Sequence, residues 1–516
     1  MKKLSFLFLF VVLFSSCESY LDVNESQTNR AEFEALSPAQ LLAGAINGYT
    51  NYQNISLNTY GNRGAYVWGL NFGYTGTDAL YDYNVSSADY NNNFEAGYLN
   101  GDNFQDILDK QANFPDYALH FGVAKVFKVM CLDYVTAIYG DTPYSEAFKE
   151  NISSPKYDDD KAIIPALLAE LDDARTYLNS TSSTLVPLGS EDTVFAGDVS
   201  LWIKFVNTVE LRLLMRLSNT TDPALVTLRN TRFAALDASQ DFIAADVRTN
   251  PGYNSSTTAQ RSPFYRVYGL NDAFDAFTDS NRSNAAGDYM AKLVNGTINN
   301  ADITTAIVDP RRSRMFNLVG GVVTGSVQNS APAVTVSRVS SFFTGRAGAN
   351  ADADGCSRDA YLMLNAESQF LQAEAFQRGY LTGNAQVAFT AGITASFNFY
   401  SRSWGSSVVS VLNPVTYIAA TDAKNGLGWT GSANKINAIT TQKYLALANW
   451  SGVEVFLQHL RTGFPALPLP PGAAQTRRPY RMIYPTSEYS SNSANAINVT
   501  SAECFTVNSK TPYIYQ

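Results

Sequence analysis

Apolar residues recur at spacings of three and four along much of the chain. Between 115 and 139, Leu119, Val123, Val126, Phe127, Met130 and Tyr134 form one stripe that stops at Gly140, which predicts an amphipathic helix with a buried face. The same pattern predicts helices over 161–178 (Ile164, Leu167, Leu168, Leu171, Leu178) and 198–217 (Trp202, Phe205, Val206, Val209, Leu213). Between 221 and 236, Asp222 is placed to cap a helix, and Pro223 takes the first helical position, where a missing N–H costs nothing. Further helices are predicted from about 359 to 378, closed by Gly379, from about 385 to 400, and through 435–460 with a break near Ser451 or Gly452. Helices joined by short loops lie antiparallel, so the pattern predicts a mostly α fold of stacked helix pairs. Strand signals are confined to 322–328 and 333–339, which alternate around a turn-like NSAP and predict a small hairpin.

Two long stretches break the helical period. Residues 60–100 are crowded with Gly, Asn, Asp and rings, among them Trp68, Phe72, Tyr74, Tyr81, Tyr83, Tyr90 and Phe94; 250–288 carry Tyr253, Phe264, Tyr265, Tyr268, Phe274 and Phe277. Long loops are functional or disordered, and a high aromatic content argues against disorder. Flat rings beside neutral polar groups suit hydroxyl-rich or amide-rich ligands, so Trp68, Tyr74, Tyr81, Tyr83, Tyr90, Tyr265 and Tyr268 are the candidate ligand contacts. The alternative is that the same rings fold onto the protein's own helices.

Composition narrows the chemistry. The 516 residues include 13% aromatic and 16% charged positions, and the net charge of −9 argues against a nucleic-acid partner. There are two histidines, His120 and His459, and four cysteines, Cys17, Cys131, Cys356 and Cys504, with no C-x-x-C, H-E-x-x-H or G-x-S-x-G spacing. Both histidines therefore read as structural. No cofactor is implied.

The first residues read as an address. Lys2 and Lys3 precede an apolar run from Leu4 to Phe14, then Ser15, Ser16 and Cys17, which is the order of a lipoprotein signal peptide. The run is shorter than the roughly 20 residues that span a bilayer. Residues 1–17 are thus expected to end at a lipidated Cys17, carrying for example palmitate, 18–30 to form a flexible polar tether, and 31–516 to form a single domain. Cys131, Cys356 and Cys504 then allow at most one disulfide.

Eight segments carry a resemblance. LDYVTAIYGDTPYSEAFK (132–149), GDVSLWIKFVNTVELRLLMRLS (197–218), DPRRSRMF (309–316), LNAESQFLQAEAFQRG (364–379), GITASF (392–397), TTQKYLAL (440–447), VEVFLQHLRTGFPAL (453–467) and RMIYPTSEYSSNSAN (481–495) stand in the order seen in the SusD/RagB-like family, which this chain resembles across nearly its whole mature length. The resemblance implies four helix pairs like tetratricopeptide repeats and an outer-membrane lipoprotein facing the exterior. It also implies a partner, a SusC-like TonB-dependent transporter, to which captured oligosaccharides, or in some branches oligopeptides, are delivered. Where the family has an Arg-Arg-Thr-Gly run with tryptophans nearby, this chain has Leu460-Arg461-Thr462-Gly463 with Phe456 and Tyr444. Ligand residues vary within the family, so none is carried over.

Two further readings concern charge. Glu367 and Glu374, seven apart on one helix, sit about 10 Å apart along its axis at about 1.5 Å per residue. That exceeds a retaining glycosidase pair, and two acids on one helix do not flank a sugar, so a tethered glycosidase is disfavoured. Glu374, inside QAEAF, is instead expected to form a buried ion pair with Arg461 or Lys443. Asn350, Asp352, Asp354 and Gly355 open like a calcium loop, but the twelfth position is Tyr361 and not a bidentate carboxylate, so calcium at Asp352 and Asp354 rests on a partial match.

Overall fold

The apolar stripes become helices, and the computed structural model describes residues 33–74, 78–345, 353–404 and 409–515. The first is α1 (Pro38–Asn51), opened by Ser37, whose side chain accepts from the Gln40 N–H while Gln40 returns the bond. A π-helical turn, Tyr52–Leu57, joins it to α2 (Asn58–Gly64). Then come α3 (Asn92–Asp109), α4 (Ala118–Tyr139), α5 (Asp160–Leu178), α6 (Val199–Arg216) and α7 (Pro223–Ser239), the last capped by Asp222 with Pro223 at its first position as the sequence suggests. The second half supplies α8 (Asn365–Gln377), α9 (Ala385–Tyr400), α10 (Lys435–Leu447) and α11 (Gly452–Thr462), with the break before Gly452 where it was expected. About 51% of the residues are helical.

Successive helices pack as pairs, α3 on α4, α6 on α7, α8 on α9 and α10 on α11, while α5 lies along α4 and α6. The chain therefore adopts the mostly α stack of helix pairs that its periodicity predicts. α4 is buried on nearly every side, because α1, α3, α5 and α6 all rest on it.

Strands differ from expectation. The predicted hairpin over 322–339 forms no regular strand pair, although the Ser337 N–H donates to the Thr324 carbonyl at 2.8 Å. Two two-stranded antiparallel sheets form instead, from segments far apart in sequence: β1 (Trp68–Leu70) with β3 (Asn284–Ala286), and β2 (Val247–Thr249) with β4 (Ala360–Met363). Ala286 stands beside the two hairpin segments, its N–H donating to the Ser337 carbonyl and its carbonyl accepting from the Ser326 N–H. Part of their backbone bonding is thus satisfied by β3 and not by each other. Residues 360–363, expected to be helical, are the strand β4, whose carbonyls at Tyr361 and Leu362 accept from the buried amides of Asn54 and Gln53 at 3.2 and 2.8 Å.

Part of the stretch expected to be irregular, 60–100, is also helical. The buried face of α3 is Asn93, Phe94, Gly97, Asn100, Gly101, Phe104 and Ile107, in which small and amide residues replace aliphatic ones. A Cβ on Gly97 would stand 2.3 Å from Val135 Cγ2, and one on Gly101 2.7 Å from the Phe148 ring. The close approach of α3 to its neighbours removes the aliphatic signal on which periodicity relies.

Charge holds the stack from within. Arg212 and Arg216 of α6 point into the core: Arg212 Nε donates to Glu367 Oε1 at 2.8 Å, and Arg216 donates to Asp133 Oδ2 and Glu454 Oε1, each at 2.8 Å. Four helices (α4, α6, α8, α11) meet at these guanidiniums. Against the cost of burial, Arg216 and then Arg212 hold the Glu454 carboxyl down to about 2.

Candidate functional site

The β1–β3 pairing brings the two ring-rich loops together. Trp68 lies opposite Ala286 and Leu70 opposite Asn284; one residue on, the Asn71 N–H donates to the Ser283 carbonyl at 2.9 Å, and its side-chain amide donates to the Arg282 carbonyl at 2.7 Å. The chain then turns at Gly73, whose φ of +81° favours glycine. Phe72 is left 52% exposed, with Tyr74 beside it. From the second loop come Phe277, Asp279 and Arg282, and from 333–339 comes Arg338, whose guanidinium lies 4.4 Å from the Phe277 ring centroid and donates to Asn281 Oδ1 at 2.8 Å. Arg282 donates to Asp279 across an exposed pair.

The guanidiniums of Arg282 and Arg338 share Tyr74 as a neighbour. Burial lowers the pKa of Arg338, the Tyr74 hydroxyl opposes that shift, and the like charge of Arg282 adds to it. Beneath this edge Arg63 donates to Asp78 at 2.7 Å, and the Tyr90 hydroxyl reaches both oxygens of Asp78 at 2.8 and 2.9 Å. Arg63 also reaches Asn284 Oδ1, so the first loop is fastened to β3. An open ring, two planar cations and several amides on one edge can stack on the face of a ring-shaped ligand and donate hydrogen bonds to its rim.

Most of the rings singled out from sequence lie elsewhere. Trp68, Tyr81, Tyr83, Tyr265 and Tyr268 are at most 1% exposed. Trp68 donates to Asn449 Oδ1 at 2.6 Å and meets Tyr268 edge-on; Tyr83 packs on Phe505; Tyr265 lies against Leu270 and Cys356. A ring without an open face has nothing to stack on, so these five belong to the core. Tyr90 is half-buried and bound to Asp78, and Tyr74 alone of the seven faces the edge together with Phe72. Arg282 and Arg338 carried no signal of their own, since their role depends on which loops meet.

The remaining candidates resolve as follows. Glu374 accepts from both nitrogens of Arg461 at 2.6 and 2.7 Å and from Arg378 at 2.8 Å; against burial, these cations hold its carboxyl down to about 2. The partner is therefore Arg461, not Lys443. Glu367 is fully buried against Arg212, so neither acid has an open face for substrate. His120 contacts Glu191 at 2.9 Å, and His459 contacts the Pro465 carbonyl at 3.0 Å, with burial and then Arg478 pushing its pKa down to about 3. Cys131, Cys356 and Cys504 are buried thiols. Cys17, Asn350 and Asp352 lie outside the described residues, as does the side chain of Asp354. Tyr361, at the twelfth position of the calcium pattern, is in β4 with its hydroxyl accepting from Arg402 at 2.5 Å.

Among the described residues, Asp141, Asp159 and Asp160 bring carboxylate oxygens within 4.8 Å of one another. Asp159 caps α5, and Asp160 accepts from the Tyr513 N–H at 2.8 Å while burial pushes its pKa up to about 7. A groove of about 490 Å³ runs beside α3, floored by Tyr98 and Phe148 and edged by Asp102 and Asp106; burial and then Asp102 push Asp106 up to about 6. Both features are acidic, unlike the edge at Phe72.

A family model described as SusD-like, starch-binding and associating with the outer membrane, matches residues 29–485. The chain belongs to the SusD-like family. Solved structures of similar fold include a SusD/RagB family protein from Bacteroides thetaiotaomicron, with a TM-score of 0.67 at 19% identity, covering 93% of this chain and 98% of that one. A chitin-binding SusD homologue from Flavobacterium johnsoniae has a TM-score of 0.65 at 20% identity, covering 88% and 94%. A SusD homologue from Bacteroides fragilis gives 0.65 at 18%, covering 89% and 95%. No curated protein matches the chain. The SusD-like fold thus accounts for nearly the whole length, and glycan binding is a property of the family.

Proposed function

We propose that this SusD-like protein is a non-catalytic surface lipoprotein, anchored through Cys17, that captures oligosaccharides at the Phe72 edge and passes them to a SusC-like TonB-dependent transporter. The observation that carries the reading is the meeting of the two ring-rich loops at β1 and β3, which leaves Phe72 exposed two residues from Tyr74, itself a neighbour of the Arg282 and Arg338 guanidiniums. The family's glycan binding supports the same class of ligand. The order Lys2-Lys3, apolar run, Ser15-Ser16-Cys17 supports the anchor, with 18–30 as its tether.

Isothermal titration against a panel of neutral oligosaccharides and oligopeptides tests the reading, with Phe72→Ala as the companion variant. Trp68→Ala would be uninformative, since that ring is core. Saccharide binding weakened by Phe72→Ala is the expected result. Binding of peptides with none of saccharides would transfer the scaffold to peptide capture, and release of reducing sugar would overturn the non-catalytic reading.

A further inference from the structure

The two arginines on the Phe72 edge differ in how their charge is met. Arg282 has Asp279, but both members of that pair are exposed, with side chains 51% and 84% accessible, and such pairs exchange readily with other partners. Arg338 is half-buried, stacked over Phe277 and tied through one nitrogen to the neutral amide of Asn281; among the described residues no carboxylate lies within ion-pair distance of it. In the core, Arg212, Arg216, Arg311 and Arg461 meet carboxylates, while Arg478 and Arg481 spread their donors over several backbone carbonyls. Arg338 is thus a partly desolvated cation with one amide for a partner, next to the like charge of Arg282, which holds the exposed acid Asp279. A guanidinium over an aromatic ring with one nitrogen bonded to an amide has donors left over, and its planar fork can receive a carboxylate in a two-pronged bond.

We infer that the Phe72 edge selects acidic saccharides, with Arg338, aided by Arg282, receiving the carboxylate of a uronic-acid residue while Phe72 and Tyr74 pack against the sugar rings. The inference rests on the saccharide reading above and adds the class of sugar. A ligand carboxylate would supply the counter-charge that Arg338 lacks and lower the repulsion between the two arginines.

The test compares hexagalacturonate with the same oligosaccharide after reduction of its carboxyl groups, by titration calorimetry on the purified protein, Arg338→Gln and Arg282→Gln. The wild type is expected to bind the acidic form about tenfold or more tightly than the reduced one, with the preference shrinking as salt rises. In Arg338→Gln the ratio of the two affinities falls to within about threefold of one; Arg282→Gln reduces it less. Equal affinities of the wild type for both forms would overturn the acidic-sugar inference and leave saccharide capture standing. No binding of either form, or of any neutral oligosaccharide, would overturn both. A preference that persists in both variants would place the anion site elsewhere and overturn the assignment to Arg338. Should Arg338→Gln fail to fold, the salt dependence in the wild type decides alone: a preference insensitive to salt overturns the inference.

Discussion

Arginines in the helix stack and arginines on the Phe72 edge meet opposite fates. In the stack, Arg212, Arg216 and Arg461 are buried beside Glu367, Asp133, Glu454 and Glu374, and those contacts join four helices. On the edge, Arg338 lies over a ring with an amide as its partner, and Arg282 has only an exposed acid. A buried charge with its partner fixes architecture, because removing either member strands the other. A half-exposed charge without one contributes little to stability and leaves its bonding capacity for an incoming molecule. The same side chain serves as rivet in one place and, in the role proposed above, as receptor in the other.

Substitutions separate these roles, and their effects on stability should descend from stack to edge. Arg216→Met, which strands Asp133 in the core and leaves Glu454 with Arg212 at 3.5 Å, should lower unfolding stability by about 4 kcal/mol in a denaturant titration. Glu374→Gln should cost about 3 kcal/mol, leaving Arg461 and Arg378 without a charged partner. Because the Glu374 and Glu454 carboxyls lie near 2 in the fold against an ordinary 4.5, their stabilisation is complete above 4.5 and drains away as pH falls toward 2. Melting temperatures across that window should therefore fall less steeply for Glu374→Gln than for the wild type, and parallel curves would show that the pair is not what acid attacks. Gly97→Ala, which sets a methyl 2.3 Å from Val135 Cγ2, should cost about 2 kcal/mol and report that α3 belongs to the stack. Phe72→Ala should change stability by no more than about 0.5 kcal/mol while weakening saccharide binding about tenfold or more. If Phe72→Ala proved as destabilising as Gly97→Ala, the edge would be architecture after all and the contrast would collapse.

Where aliphatic residues carry the buried face, the fold is legible in the sequence. α4, α5, α6 and α7 fall within a few residues of their predicted bounds, and even the cap at Asp222 and the break before Gly452 are in place. Legibility fails where close packing demands small or amide side chains: the face of α3 is built on Gly97, Gly101, Asn93 and Asn100, which read as loop. It fails again where strands form between distant segments, because nothing local in 68–70 or 284–286 names its partner. The site follows from the second failure. Aromatic content singled out the two loops that meet at β1 and β3, yet their rings divide between core and surface according to a pairing invisible in sequence, so Trp68 and Tyr81 turn inward and Phe72 outward. Arg282 and Arg338 gain meaning only once that pairing exists. The Glu374–Arg461 contact was easier to foresee, since an acid inside an apolar helical run needs a cation.

The central charge cluster also has a history along the chain. Arg216 finds Asp133, 83 residues earlier, but its second partner, Glu454, lies 238 residues later, and Arg212 waits 155 residues for Glu367. The first two thirds of the chain therefore carry both cations without the acids that α8 and α11 bring. Without α8 and α11 the interior would hold Arg212 without Glu367 and Arg216 with Asp133 alone, so the last third of the chain acts as the latch that completes the charge balance of the first two thirds. A fragment ending before Glu454 would lack that latch however well its helices formed.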